Sequence, residues 1–449
     1  MRKQKAEGDP RPRLEVVPAS SQKPGRKLTT RDIEQLGEEL LAYQAEYADL
    51  FVRREQREWA AFYMRGQLSA LPRKTVEPMV LQLKGADPAA VRAGQQFLGE
   101  GSWDDDGILQ HRERLVAQDL GEPEGVLIVD GSGFPKKGAH SVGVARQYCG
   151  AVGKIANCQQ GVFVVYASRK GYTFVDRRLY MPRAWFDEAH AVKRQRAGVP
   201  AQLGFQSEPQ LGLAMVQGVV QRNVVPCQWV AADAHFGMNP GFLDGVAALG
   251  KWYFVEVPVN TQVWEGYPTI LPVGAGPMGR PRSGARVAPD TPAAREVRQM
   301  AASLSARQWR RYTIKDGSQG PMEADFAFVR ATRKRRRRPG HAVWVVFQRS
   351  LGSKPVLKVY LSNAPAHIAH IRLVEMAGMR WPVECALEEA KGELGMDHYE
   401  TRTWRGWHHQ MTMTFLAHHF LVRMQSQKKT QPCLNLGTGA LTDRPCVYA

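Results

Sequence analysis

A mixed α/β fold with a helical region in front of it is predicted by three observations. Apolar residues recur at helical spacing over the first quarter of the chain. Short apolar runs bounded by turn residues follow. Two of those runs end directly on an aspartate, and a helix carrying Glu384 comes after the last of them. The chain has 449 residues, 43% hydrophobic and 23% charged, enough for two or three domains and unlike a disordered protein.

Residues 1–27 are rich in Lys, Arg and Pro and read as a disordered basic tail. Residues 28–120 read as an all-α domain. Leu36, Leu40, Tyr43, Tyr47 and Leu50 keep a helical period, and further helices are expected from Val76 to Leu83, Pro88 to Leu98 and Ile108 to Gln118. After Gly121 the period changes. Val126-Leu-Ile-Val129 is a buried strand delivering Asp130 to its end, with Gly131-Ser-Gly-Phe-Pro as turn chemistry. Residues 161–167 and 172–180 form a hairpin around Ser168-Arg-Lys-Gly171. A helix from Gln210 to Gln221 leads to the strand Gln228-Trp-Val-Ala-Ala232, which ends on Asp233. Trp252 to Val257 is another strand, so residues 121–257 read as the first part of a sheet-based core.

Residues 258–342 are rich in Gly, Pro and Arg, too long for a loop and better read as an inserted subdomain. It contains Trp264 and the basic run Arg333-Lys334-Arg335-Arg336 extending to Arg338. Strands resume at Val343 to Phe347 and Val356 to Leu361, and residues 343–424 read as the second part of the core with its C-terminal helices. Pro382 suits a first helical turn. Glu384 then lies in that turn and Lys391 two turns on, with Glu388 and Glu389 as rival carboxylates between them. Trp407 to Met424 is a helix apolar on most sides. Its adjacent histidine pairs, His408 with His409 and His418 with His419, point in different directions, which favours core hydrogen bonding over metal. Residues 425–449 read as a loose tail.

Charge narrows the function. Lys+Arg 61 against Asp+Glu 43 gives +18, which points to a polyanionic partner such as nucleic acid. Six cysteines without a CxxC pair disfavour structural zinc and fit reduced thiols in a cytoplasmic protein. No signal sequence and no membrane-spanning run is expected. Asp130, Asp233 and Glu384 are 103 and 151 residues apart, so only tertiary folding brings them together. Each aspartate alone also fits a turn cap. Three carboxylates met in this strand order instead suit magnesium or manganese, and two such ions serve phosphodiester chemistry.

Four blocks carry a likeness: Asp130 to Gly138 with Ser141 to Cys149, Ala232 to Gly237, Arg380 to Lys391, and Asp397 to Arg402. With them the chain resembles bacterial insertion-sequence DDE transposases, nearest the insertion-sequence 701 group, whose catalytic core is RNase H-like as in retroviral integrases. The third block resembles a Tyr, Arg, Glu, Lys signature at Arg380, Glu384 and Lys391, while Ala377 stands at the tyrosine position. The resemblance implies an RNase H-like mixed sheet flanked by helices, a DNA-binding N-terminal helical domain and a β-rich insertion before the glutamate. It implies that Asp130, Asp233 and Glu384 are catalytic and hold two Mg2+ or Mn2+ ions. Arg380 and Lys391, and Arg333, Lys334, Arg335 and Arg336 of the basic run, are expected on DNA phosphates, with Trp264 available for base stacking. The implied activity is cut-and-paste transposition on double-stranded transposon ends and target DNA, by a homodimer or higher oligomer in the bacterial cytoplasm, associated with the nucleoid. A nuclease of the same fold without strand transfer, or a catalytically inactive DNA-binding protein, is the alternative.

Overall fold

The computed structural model describes residues 30–271, 286–317, 320–335 and 338–427. The expected tail at 1–27, residues 428–449 of the tail expected at 425–449, and Arg336 lie outside these, while residues 425–427 continue the last helix. Five helices come first: α1 (Thr30–Ala45), α2 (Arg54–Gln67), α3 (Val76–Lys84), α4 (Pro88–Gly99) and α5 (Asp105–Leu120). Local chemistry fixes their starts. Asp87 caps α4 by accepting from the Ala89 and Ala90 amides at 3.0 Å, with Pro88 at the first position, and Asp104 caps α5 through the Gly107 amide.

The sheet begins with β1 (Val126–Pro135), β2 (Ala145–Cys149), β3 (Lys154–Ser168) and β4 (Gly171–Tyr180). The short α6 (Ala191–Arg196) and the longer α7 (Glu208–Arg222) lead to β5 (Trp229–Ala232), α8 (Ala234–Gly237), α9 (Pro240–Ala248) and β6 (Trp252–Val257). β1 pairs antiparallel with β3 and parallel with β5, β5 pairs parallel with β6, and β3 also pairs antiparallel with β2 and β4. Val126, Leu127, Ile128 and Val129 are all buried because both faces are covered, which is why the strand reads as an unbroken apolar run.

Residues 258–342, read as an inserted subdomain, are rich in strands where they are described. They hold β7 (Gln262–Trp264), β8 (Ile270–Leu271), β9 (Arg286–Val287), β10 (Arg295–Glu296), α10 (Val297–Ser303), β11 (Arg310–Gly317), β12 (Gly320–Arg335) and the start of β13 (Arg338–Ser350). β12 pairs with β13, β13 with β14 (Leu357–Ser362), and β14 with β6, so these strands extend the central sheet. The sequence of β12 does not read as a strand because its buried residues fall on both faces, Phe326 in one core and Ala331 in the other, and so keep no two-residue period, while Arg330, Arg333, Lys334 and Arg335 dominate its composition.

The chain closes with α11 (His370–Gly378), α12 (Trp381–Gly392) and α13 (Trp404–Gln427). One sheet face is covered by α7 and α9, the other by α12 and α13. α13 is buried on two sides. Trp407, Met411 and Phe415 pack toward the sheet, while Met413, Leu416 and Phe420 join the core of the N-terminal helices. Buried hydrogen bonds from Tyr63 to Gln410 (2.6 Å) and Gln67 to Thr414 (2.9 Å) tie that helical region to α13. No helix among the described residues is long and apolar enough to cross a membrane.

Candidate active site

The parallel register of β1, β5 and β6 places acidic residues side by side. Val129 pairs with Ala232, and Ala232 with Val255. The next residues along the three strands are Asp130, Asp233 and Glu256, one carboxylate per strand at one level of the sheet. β1 does not end at Asp130, as the turn-like sequence after it suggests. It runs on to Pro135 because β3 continues to pair with it, Asp130 opposite Phe163 and Pro135 opposite Cys158. What ends at this level is β5, which leaves Asp130 at the lip of the sheet. Gly131 and Gly133 permit the tight packing here: a Cβ on Gly133 would come within 2.6 Å of the Cys149 sulfur, and one on Gly131 within 3.1 Å of a Glu208 oxygen.

Glu384 reaches the same place from the first turn of α12. Its Oε1 accepts from Arg380 at 2.6 Å, and Arg380 also lies 4.0 Å from Glu256. Burial, with Asp233 as the next contributor and Glu384 a smaller one, pushes the Asp130 carboxyl up to about 7. Burial disfavours the Arg380 charge, yet Glu384, Glu256, Asp130 and Asp233 together hold its pKa above the ordinary value. One guanidinium therefore faces four carboxylates, and the site carries excess negative charge. Asp233 also caps α8, accepting from the His235 amide at 2.9 Å and the Phe236 amide at 3.3 Å. Its turn-cap role and its place beside Asp130 coexist.

The donor set suits a hard divalent cation, being made of carboxylate oxygens, with Asp233 and Glu384 close enough to raise the proton affinity of Asp130. As the side chains stand, Glu384 is turned onto Arg380. Among the described residues no three His, Cys, Asp or Glu side chains form a closed metal cage. The rival carboxylates on α12 are placed differently. Glu388 is exposed, and Glu389 accepts from Tyr172 (2.7 Å) and contacts His418 (3.1 Å) at the α13 interface.

The expected phosphate contacts separate into two groups. Arg380 stands among the carboxylates. Lys391 Nζ instead donates to Ser132 Oγ (2.8 Å) and the Gly133 carbonyl (3.0 Å), bracing β1 just beyond Asp130, and burial lowers its pKa. The basic run is spent on structure where it is described. Arg333 is 7% exposed and donates to the carbonyls of Gly237 (3.2 Å) and Met238 (3.3 Å), closing the turn after Asp233. Lys334 bonds Gln262, and Arg335 forms a two-pronged pair with Asp244 of α9. Trp264 is also 7% exposed, on β7 opposite Thr332, so its ring packs within the protein and is not presented for stacking.

The α13 histidines are buried hydrogen-bonding groups. His408 meets the Trp404 carbonyl, His409 the Leu98 carbonyl, His418 Thr173, and His419 Tyr43. Burial lowers the pKa of His409 to about 3 and of His419 to about 4. A cavity of about 610 Å³ lined by Trp103, Asp105, Arg178 and Trp404 lies at the α5 and α13 junction and includes none of the predicted site residues.

Glu256 and Glu208 were not anticipated. Glu256 did leave a signal, as the lone charge in the apolar run Trp252 to Val257. Glu208, largely buried against Gly131 and 4.0 Å from His235, left none, since its sequence context is that of an ordinary helix start.

A family profile described as DDE superfamily endonuclease matches residues 46–321, which include Asp130 and Asp233 and stop before Glu384. A curated protein of Microchaete diplosiphon named "Probable transposase for insertion sequence element IS701" is 33% identical over 200 residues, 44% of this chain. The match spans about half of that relative, 48% of its length.

Proposed function

The chain belongs to the DDE superfamily endonucleases, and from that premise we propose that it is an insertion-sequence transposase acting on the ends of its own element. The single observation that carries this reading is the level placement of Asp130 and Asp233 on neighbouring parallel strands, with Glu384 close enough to help raise the Asp130 pKa. The sheet supports it too. The order β4-β3-β1-β5-β6, antiparallel up to β1 and parallel beyond it, supports reading the sheet as an RNase H-like core. Residues 28–120 are proposed to help hold DNA, residues 121–257 and 343–424 to form the core, and residues 258–342 to be the insertion.

Asp130, Asp233 and Glu384 would hold Mg2+ or Mn2+, two ions in the full reaction, with Glu384 leaving Arg380 to do so. When bound, such ions supply Lewis-acid activation of the attacking hydroxyl and charge stabilisation at the leaving oxygen. The protein's own part is positional. Lys391 fixes the Ser132 to Gly133 backbone, Arg333 fixes the turn behind Asp233, and both hold the aspartates at one level. Arg380, once released, offers a planar fork for a phosphate. Cleavage forms a bond from water oxygen to phosphorus and breaks the bond to the 3′ oxygen. The freed 3′-hydroxyl then attacks a target phosphodiester, forming a new 3′-oxygen to phosphorus bond while the bond to the target's own 3′ oxygen breaks and that oxygen leaves as a hydroxyl. Pairing two ends calls for at least two copies of the chain.

The test uses DNA carrying the element's ends, with Asp130→Asn, Asp233→Asn and Glu384→Gln. Each is expected to bind the DNA while losing Mg2+-dependent cleavage. Undiminished cleavage by any of them overturns the assignment. A joining assay with pre-cut ends tests strand transfer: cleavage without joining would leave a nuclease of the same fold.

A further inference from the structure

We propose that the hairpin of β2 and β3 is a ribbon that grips duplex DNA flanking the cut; the inference rests on the function above and adds the surface that function needs. Three independent observations meet there. The first is charge. Residues 131–160, the ribbon and the segment that braces it, contain Lys136, Lys137, Arg146 and Lys154 and no Asp or Glu, in a chain where acidic residues are otherwise spread throughout. The second is exposed apolar surface. Tyr148 (66% exposed) pairs across the ribbon with Ile155 (61%), so both stand on one face, and Val152 (42%) sits at the tip. Arg146, two residues before Tyr148, shares that face and is exposed. Lys154 is exposed at the other strand's start.

The third is rigidity with reach. The loop is closed by the Cys149 and Lys154 pair, with Gly153 at φ +62°, a conformation glycine favours. At the base, Asn157 donates to the carbonyls of Lys136 (2.8 Å) and Gly138 (3.0 Å), and Gln159 to that of Val142 (2.6 Å). Cys149 is fully buried against the β1 backbone. The ribbon is thus braced on the strand that carries Asp130. Asp130 faces Phe163 on β3, and Ile155 lies eight residues further along the same strand, at most about 26 Å away. That span is roughly eight base pairs. A two-stranded ribbon fits the major groove, and a cationic ribbon without carboxylates meets no repulsion from phosphates. Arg146 and Lys154 would take phosphates, and Tyr148 and Ile155 would lie on sugars and base edges.

The probe is a labelled duplex of about 30 base pairs, long enough to pass both Asp130 and the ribbon tip. Its affinity is measured by fluorescence anisotropy across a salt series. Arg146→Gln with Lys154→Gln is expected to weaken binding and lower the steepness of the salt dependence by about 2, one per lost phosphate contact. Tyr148→Ser with Ile155→Ser is expected to weaken binding several-fold with the steepness unchanged. Both pairs are exposed, so melting temperatures should match the parent and separate lost contacts from lost folding. Parental affinity and salt dependence in both variants, while the parent binds, would overturn the ribbon and leave the function standing. A parent that neither binds nor cuts DNA would defeat the function itself. If Tyr148→Ser with Ile155→Ser changes the sedimenting mass without DNA, the face is an interface between copies and the proposal is wrong.

Discussion

Two of the arginine and carboxylate clusters in this molecule are built to opposite ends. Around Arg177, which is fully buried, Asp105, Asp106 (2.9 Å) and Asp176 (3.8 Å) gather, with Arg178 also on Asp176 (2.8 Å). Two guanidiniums there meet three carboxylates, and Arg177 overcomes burial to hold Asp106 below its ordinary pKa. At the lip of the sheet one guanidinium, Arg380, meets Asp130, Asp233, Glu256 and Glu384, and Asp130 is pushed up to about 7. The first cluster joins the N-terminal helices to β4, and although burial keeps the Asp105 carboxyl above its ordinary pKa, each of its carboxylates has a guanidinium partner. The second lacks positive charge, and that deficit marks a site built for something outside the chain.

The sharpest way to separate the clusters is by what their loss does. Asp233→Asn is expected to cut metal-dependent cleavage at least about a hundredfold, several kcal/mol of lost transition-state stabilisation, while urea denaturation stays near parental. Arg177→Met should do the reverse. It strands Asp105 and Asp106 and is expected to cost about 3–5 kcal/mol of stability in urea melts. An Arg177→Met protein as stable as the parent would show that the two clusters do not differ in kind.

The pH response should differ as well. A carboxyl whose folded pKa is raised stabilises the fold fully below its unfolded value and loses that contribution as pH climbs through the folded one. For Asp130 the window runs from near 4, the usual carboxylate value, to about 7. Melting temperature of the parent should therefore fall across this window more than that of Asp130→Asn, and Mg2+ should restore it at pH 8 in the parent alone. Parallel curves for the two proteins would contradict the excess charge.

Smaller effects test the bracing. Arg333→Lys keeps the charge but loses the fork that spans the Gly237 and Met238 carbonyls. It is expected to cost about 1–3 kcal/mol, the range for stranding a buried hydrogen-bonding group, and to lower cleavage with little loss of DNA affinity. A drop in affinity alone would mean that Arg333 serves DNA after all.

The same contrast explains what was legible in the chain. Asp130 and Asp233 announced themselves because each follows an apolar run buried on both faces, and register then did the rest. α13 was legible from its continuous apolar character, with its histidines read correctly as core groups. Residues 320–335 were not, although Val343 to Phe347 is legible as a strand and lies within β13. β12 is covered on both faces, with Phe326 in one core and Ala331 in the other, so its apolar residues show no two-residue alternation and the basic run at its end dominates its sequence. For the same reason Arg333 and Arg335 looked like DNA contacts: composition shows a positive charge but not the carbonyls of Gly237 or the carboxylate of Asp244 waiting for it. Glu256 depended on knowing that β6 lies parallel to β5, which is a fact of tertiary pairing.

Calorimetric titration of Mn2+ at pH 8 into the parent and into Asp130→Asn tests the central claim most directly, because it reads the charge deficit without needing the DNA substrate. Saturable binding in the parent that is abolished or greatly weakened in the variant is the predicted result. Equal binding by both proteins, or none by the parent, would contradict it.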